Sequence, residues 1–239
     1  MKIEKIEVDK KVLGLIDFSA NIYACLVTVD ASESIADVMR EIADKSWISR
    51  LGIVQQIAFE ARLQSTVKVI MENCLSFCSD TGVGKYDYSV VGEYIVSKEG
   101  RRALVSGFNH SAVPLAELWK EKESGNPGFD FHSESTSNLI IYGEAKYDSN
   151  QNPYNRAINQ VEGFIGQKKD AMELSDLSNF VSDIAVSNFT SNKKGFCVSF
   201  SIMTQKPIDI IKKAIQSDKI NNIKSFDEFY VVGVVINDK

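Results

Sequence analysis

The chain has little of what several common functions need. Its 239 residues include only two histidines, His110 and His132, and four cysteines, Cys25, Cys74, Cys78 and Cys197. The cysteines show no disulfide-framework spacing, and a chain this long does not need staples to hold a core. Cys74 and Cys78 stand one helical turn apart, but two histidines leave few partners for zinc, so both are read as core residues. Positive charge is not in excess: 27 Lys and Arg stand against 32 Asp and Glu, a formal charge of -5. Bulk charge therefore gives no drive toward nucleic acid, although a cleft can be locally basic. No apolar run reaches the length of a membrane span. The first eleven residues are charged and lack a signal-peptide core, so the expected location is cytoplasmic. A glycine loop at 79–85 (SDTGVGK) fails as a phosphate loop. Ser79 stands where its first Gly belongs, and Tyr86 follows Lys85 where Ser or Thr must bind magnesium. No internal repeat or low-complexity segment occurs.

What remains is an ordinary globular composition, 44% hydrophobic and 25% charged, that alternates strands and helices. Val12–Phe18 and Ile22–Val29 read as strands. Ile35–Trp47 and Leu51–Phe77 read as helices, the first capped from Asp30–Ser34. Tyr88–Ser97 and Ala112–Lys122 read as short helices, with Pro114 tolerable in a first turn. Gly125–Gly128 is a turn. Phe129–Glu134 and Asn138–Tyr147 are strands, Asn155–Met172 an amphipathic helix, and Phe196–Met203 and Phe229–Ile236 strands flanking a basic helix at Ile208–Ile215.

The chemistry concentrates in Asn138–Tyr147 (NLIIYGEAKY). Strand alternation puts Ile140, Tyr142, Glu144 and Lys146 on one face. Leu139, Ile141, Gly143 and Ala145 take the other, small and apolar enough to pack against a helix. A carboxylate and an ammonium side by side after an apolar run are expensive to bury without compensation. Asp130, between Phe129 and Phe131 that both face away from it, can approach Glu144 if the two strands pair. Two carboxylates and a backbone carbonyl are hard oxygen donors suited to Mg²⁺ or Mn²⁺. Lys146 would orient water or stabilise developing charge. The bland alternative is a solvated Glu–Lys pair on an edge strand.

Asp130, thirteen intervening residues and then Glu144-Ala145-Lys146 resemble the D-(x)n-E-x-K signature of PD-(D/E)XK nucleases. The resemblance implies an α/β restriction-endonuclease-like core, a central mixed sheet flanked by helices in the order α-β-β-β-α-β. That core would span residues 88–239, with 1–87 an N-terminal elaboration of strands and helices packed on it. It also implies a magnesium- or manganese-dependent deoxyribonuclease. Metal donors would be Asp130, Glu144 and the Ala145 carbonyl, with Lys146 the family lysine. Gly92-Glu93 is similar to the family's Gly-Glu on the first core helix, which makes Glu93 a candidate and Glu117 the second choice. Gln160 corresponds to a glutamine many members carry on the helix after the E-x-K strand. No proline precedes Asp130; Phe129 stands there. The run NPGFDFH, then YGEAKY, further resembles the HamA nuclease subunits of Hachiman antiphage systems, whose family works beside a helicase, HamB. DNA and a helicase are the partners so implied. A catalytically silent subunit that only binds DNA or the helicase is the alternative. His132 shares the expected face of Asp130 and is read as structural before metal-binding. Lys168-Lys169, Lys193-Lys194 and Lys212-Lys213 are possible phosphate contacts that more often mark solvated surface, and Trp47 and Trp119 are read as core anchors.

Overall fold

The computed structural model describes residues 1–79, 91–120 and 128–237. In chain order the strands are β1 (Lys2–Ile6), β2 (Asn21–Asp30), β3 (Ser111–Ala112), β4 (Phe131–Glu134), β5 (Ile140–Lys146), β6 (Gly195–Ser201) and β7 (Glu228–Asn237). The helices are α1 (Ala31–Ala43), α2 (Ile53–Ser79), α3 (Gly92–Phe108), α4 (Ala116–Trp119), α5 (Tyr154–Gly166), α6 (Lys169–Leu177), α7 (Asp183–Thr190) and α8 (Pro207–Ile215).

The strands form one mixed α/β sheet in the order β1-β2-β7-β6-β5-β4-β3. β2, β7, β6 and β5 run parallel, and the outer pairings are antiparallel. Parallel strands need cover on both faces, which explains why β6 and β7 are apolar almost throughout. One face carries Ala24, Leu26, Ile140, Tyr142, Phe196, Val198, Phe200 and Val231 under α5 and α8. The other carries Val27, Ile141, Ala145, Cys197, Val232 and Val234 under α1 and α3. No helix among the described residues is long and apolar enough to cross a membrane.

Several expectations shift. Val12–Phe18 is not a strand. The Asp9 carboxylate accepts the N–H groups of Lys11 and Val12, and Gly14 at φ 72° turns the chain again. The edge strand is instead β1, whose charged sequence suits a strand with one side unpaired. Over its described part, 112–120, the helix expected at Ala112–Lys122 shrinks to α4, because Ser111–Ala112 pairs with β4 and Pro114 supplies no N–H. Residues 88–90 of the helix expected at Tyr88–Ser97 lie outside the described residues; beyond them α3 runs on to Phe108, where Asn109 in the left-handed region ends it. The long helix at Asn155–Met172 is two. It stops after Gly166, takes a left-handed residue at Lys168 (φ 56°) and restarts as α6. Helix α7 was not expected. Ser182 caps it by accepting from the Ala185 N–H, and is itself held by the Glu134 carboxylate. Cys74 is buried on α2. The turn at 125–127, most of the loop at 79–85 and the Cys78 side chain lie outside the described residues.

Trp119 is fully buried, with Nε1 donating to Pro114 (3.0 Å). Trp47 is half-buried, edge-on to Phe59 and Phe180. His110 links α3 to the sheet. Tyr230 Oη donates to Glu228 (2.9 Å), so it accepts from His110 Nε2 (3.0 Å), and Nδ1 then accepts from Ser133 Oγ (2.9 Å). Burial pushes the His110 pKa from 6.5 down to about 4. Between those values the unfolded chain binds the extra proton, so stability is lost as pH falls through that window. The expected slope from this site is about 1.4 kcal/mol per pH unit. Urea unfolding at several pH values should show His110→Gln with a shallower slope than wild type. Parallel slopes would mean that His110 is not held neutral by the fold.

Candidate active site

The β4–β5 hairpin carries the site. Asp130 precedes β4, yet its N–H donates to Gly143 (2.8 Å), continuing the ladder by one residue. Its Oδ2 accepts the next N–H along β5, that of Ala145 (2.7 Å). Within a strand, the N–H and C=O of one residue point to the same edge. The Ala145 carbonyl therefore points to the side where Asp130 lies. Phe129 and Phe131 do not share a face as expected. Phe129 packs against Tyr142, Phe164 and Phe196, whereas Phe131 enters the layer under α3. The residues before Phe131 have left the regular strand, so alternation does not extend to them.

On β5 the alternation holds. Ile140 and Tyr142 enter one core layer, and Leu139, Ile141 and Ala145 the other. Glu144 is completely buried. Its Oε1 accepts from Lys146 Nζ (2.7 Å), while its Oε2 is buried with no hydrogen-bond partner. Lys146 Nζ also lies 3.5 Å from Glu93 Oε1 in the first turn of α3. A solvated edge-strand pair is thus ruled out: β5 is interior, with β4 and β6 on its two sides.

Burial, followed by the neighbouring Asp130 carboxylate, holds the Glu144 carboxyl well above its ordinary range. Asp130 keeps some solvent contact but sits deep among protein atoms. Its pKa is also raised, by burial, against the pull of Lys146 and the Ala145 N–H. Burial alone would lower the Lys146 pKa, but the Glu144 and Asp130 carboxylates outweigh it and raise it. Lys146 therefore stays a cation at neutral pH.

Asp130, Glu144, Lys146 and Glu93 thus come together. Glu93 is the outermost, with its side chain 55% exposed. Gly92 before it has a definite reason: a Cβ there would overlap the ring of Tyr147, the residue after Lys146. Gly92→Ala should push the start of α3 off β5 and lower stability by about 1–3 kcal/mol. An unchanged urea midpoint would show that the ring yields without strain.

Other candidates fall elsewhere. Gln160 is half-buried on α5, and no hydrogen bond ties it to Glu144 or Lys146. Glu117 lies on α4, with Oε2 buried. His132 is fully buried among Trp119, Phe129 and Tyr142, its Nε2 on Glu173 (2.8 Å). It is a structural histidine. The lysine pairs split. Lys169 and Lys194 are buried, the latter paired with Asp170 and set over Phe189 and Phe226, whereas Lys168, Lys193, Lys212 and Lys213 are exposed. Sequence reading missed the groups around Asp130: Ser97 Oγ on its carbonyl (3.4 Å), and Lys120 and Glu173 on Phe129 before it. They lie on three elements far apart in sequence, and no local pattern marks them.

Among the described residues, no group of three or more His, Cys, Asp or Glu side chains is arranged to hold a metal ion. The oxygen set here is two carboxylates, Asp130 and Glu144, with the Ala145 carbonyl on the same side. The orphaned Glu144 Oε2 fits such a set. A buried carboxylate oxygen without a donor leaves an unmet electrostatic need, of a kind that a hard cation can meet. Comparison of the chain with protein-family models, with curated proteins and with solved structures finds no match.

Proposed function

We propose that the chain is a metal-dependent deoxyribonuclease of the PD-(D/E)XK type. The observation that carries this reading is the buried, mutually repelling Asp130–Glu144 pair beside a protonated Lys146, with one Glu144 oxygen left unpartnered. The order α3, β3, β4, β5, α5, β6 supports a restriction-endonuclease-like core, to which β1 and β2 of the 1–87 elaboration add strands beside β7.

Asp130, Glu144 and the Ala145 carbonyl would hold Mg²⁺ or Mn²⁺. When bound, the ion supplies Lewis-acid polarisation of a phosphodiester and makes water more acidic. Lys146, a fixed cation, donates a hydrogen bond to a phosphate oxygen or to the attacking water and offsets negative charge as it develops. Glu93 steadies the Lys146 ammonium from the α3 side. The net charge of -5 gives weak bulk affinity for DNA, which suits an enzyme brought to its substrate by a DNA-translocating helicase in antiphage defence.

Supercoiled and linear DNA incubated with Mg²⁺ or Mn²⁺ should be cut by wild type, and not in the presence of EDTA. Metal-independent cutting, or none even with a helicase partner added, would rule the reading out in favour of a silent subunit or another activity.

A further inference from the structure

We infer that Glu173 positions Asp130 and through it sets the affinity of the site for its metal. The first half stands on geometry alone; the second rests on the nuclease reading above. The Glu173 side chain, on α6, is only 10% exposed. Both of its oxygens are occupied. Oε1 accepts from Lys120 Nζ (2.6 Å) and from the Phe129 N–H (3.0 Å), and Oε2 pairs with His132 Nε2 (2.8 Å). Phe129 immediately precedes Asp130 and His132 follows two residues later, so one carboxylate grips the chain on both sides of Asp130.

The grip meets a need. Pairing of β4 with β5 begins at Phe131, so Phe129 is buried without a ladder partner. Buried backbone groups must find partners elsewhere. Glu173 takes the Phe129 N–H, and Lys120 donates to the Phe129 carbonyl, the other end of the same residue and the one that continues into Asp130. A carboxylate suits this place better than an amide: it accepts several donors at once, and the ammonium beside it compensates its charge. Two further features are shaped to it. A Cβ on Gly128 would overlap Glu173 Oε1, so only glycine leaves room for the carboxylate. The left-handed residue Lys168 separates α6 from α5, and the new helix turns Asp170, Glu173 and Leu177 inward at helical spacing. Asp170 anchors that turn through Lys194 and through Tyr142 Oη on its carbonyl (3.1 Å).

A merely structural carboxylate would affect the whole fold when lost; a positioning one acts first where Asp130 acts. The Ala145 amide reports this directly, because Asp130 Oδ2 is its acceptor. Hydrogen exchange at Ala145 should be compared with Val231, fully buried on β7. In Glu173→Ala, Ala145 should exchange on the order of tenfold faster relative to Val231, the scale of a lost charge-assisted hydrogen bond. Glu173→Gln, which keeps an acceptor for Phe129, should show a smaller change in the same direction. Lys120→Met is the second route, releasing the Phe129 carbonyl, and serves if Glu173→Ala does not fold. Mn²⁺ affinity should fall roughly 10- to 100-fold in Glu173→Ala, as for outer partners of metal ligands. Equal acceleration at Ala145 and Val231, or none at Ala145, would overturn the positioning role. Local acceleration at Ala145 in Glu173→Ala, together with a wild type that binds no Mn²⁺, would uphold the positioning of Asp130 and overturn the metal reading alone.

Discussion

Glu144→Gln should be more stable than wild type and unable to cleave DNA. Glu144 is completely buried, one of its oxygens lacks a donor, and the Asp130 carboxylate lies close enough to repel it. Glutamine has the same shape without the charge. Its carbonyl can keep the Lys146 hydrogen bond, and its amide puts a donor where the unpartnered oxygen stood. Relieving the repulsion between two buried carboxylates that share one ammonium, and giving the orphaned position a donor, should gain about 1–3 kcal/mol. For a chain of this size, the midpoint should rise by about 2–4 °C per kcal/mol. The measurement is thermal unfolding in EDTA beside a cleavage assay with Mg²⁺. Stability set aside for function is the signature of a site that awaits a ligand. A Glu144→Gln protein of lower stability, or one with normal activity, would show Glu144 to be a structural half of an ion pair.

Lys146→Ala should lower the cleavage rate by roughly 10²–10³, the usual loss when one charge-stabilising donor is removed. Because Lys146 stays protonated, it acts as a donor and a fixed charge, not as a base. The loss should therefore appear in kcat, with KM little changed. A loss confined to KM would make Lys146 a phosphate-binding residue only. The stability effect should have the opposite sign to that of Glu144→Gln. Without the ammonium 2.7 Å away, Glu144 keeps its burial and loses its counter-charge. The two substitutions, one on each side of one hydrogen bond, should move the midpoint in opposite directions.

The centre of the site was legible because β5 obeys the strand period. Seven residues, Ile140–Lys146, alternate cleanly, so the shared side of Glu144 and Lys146 followed from the sequence. Strand pairing then brings Asp130 to Ala145. The rest of Asp130's setting was not legible. Phe129 and Phe131 part company where the ladder ends, and the groups that hold Phe129 come from α4's end and from α6. The break at Lys168 was also hidden. Ile158, Val161, Ile165 and Met172 suggest one apolar stripe, yet Met172 is exposed and Asp170 and Glu173 turn inward. Their charged and polar partners, Lys194, Lys120 and His132, override the periodicity. The ends of the sheet misled for a related reason. Val12–Phe18 is apolar but broken by the Asp9 carboxylate and Gly14, whereas Lys2–Ile6 needs apolar character on one side only.

The proposed activity requires Asp130 and Glu144 together to hold a divalent cation. The most direct test is calorimetric titration of Mn²⁺ into wild type and Glu144→Gln, purified identically and free of metal. Wild type should bind Mn²⁺ saturably, and Glu144→Gln should show only heats of dilution. Matching isotherms from the two proteins would place any bound metal elsewhere and leave Glu144 and Lys146 as a buried ion pair of the fold.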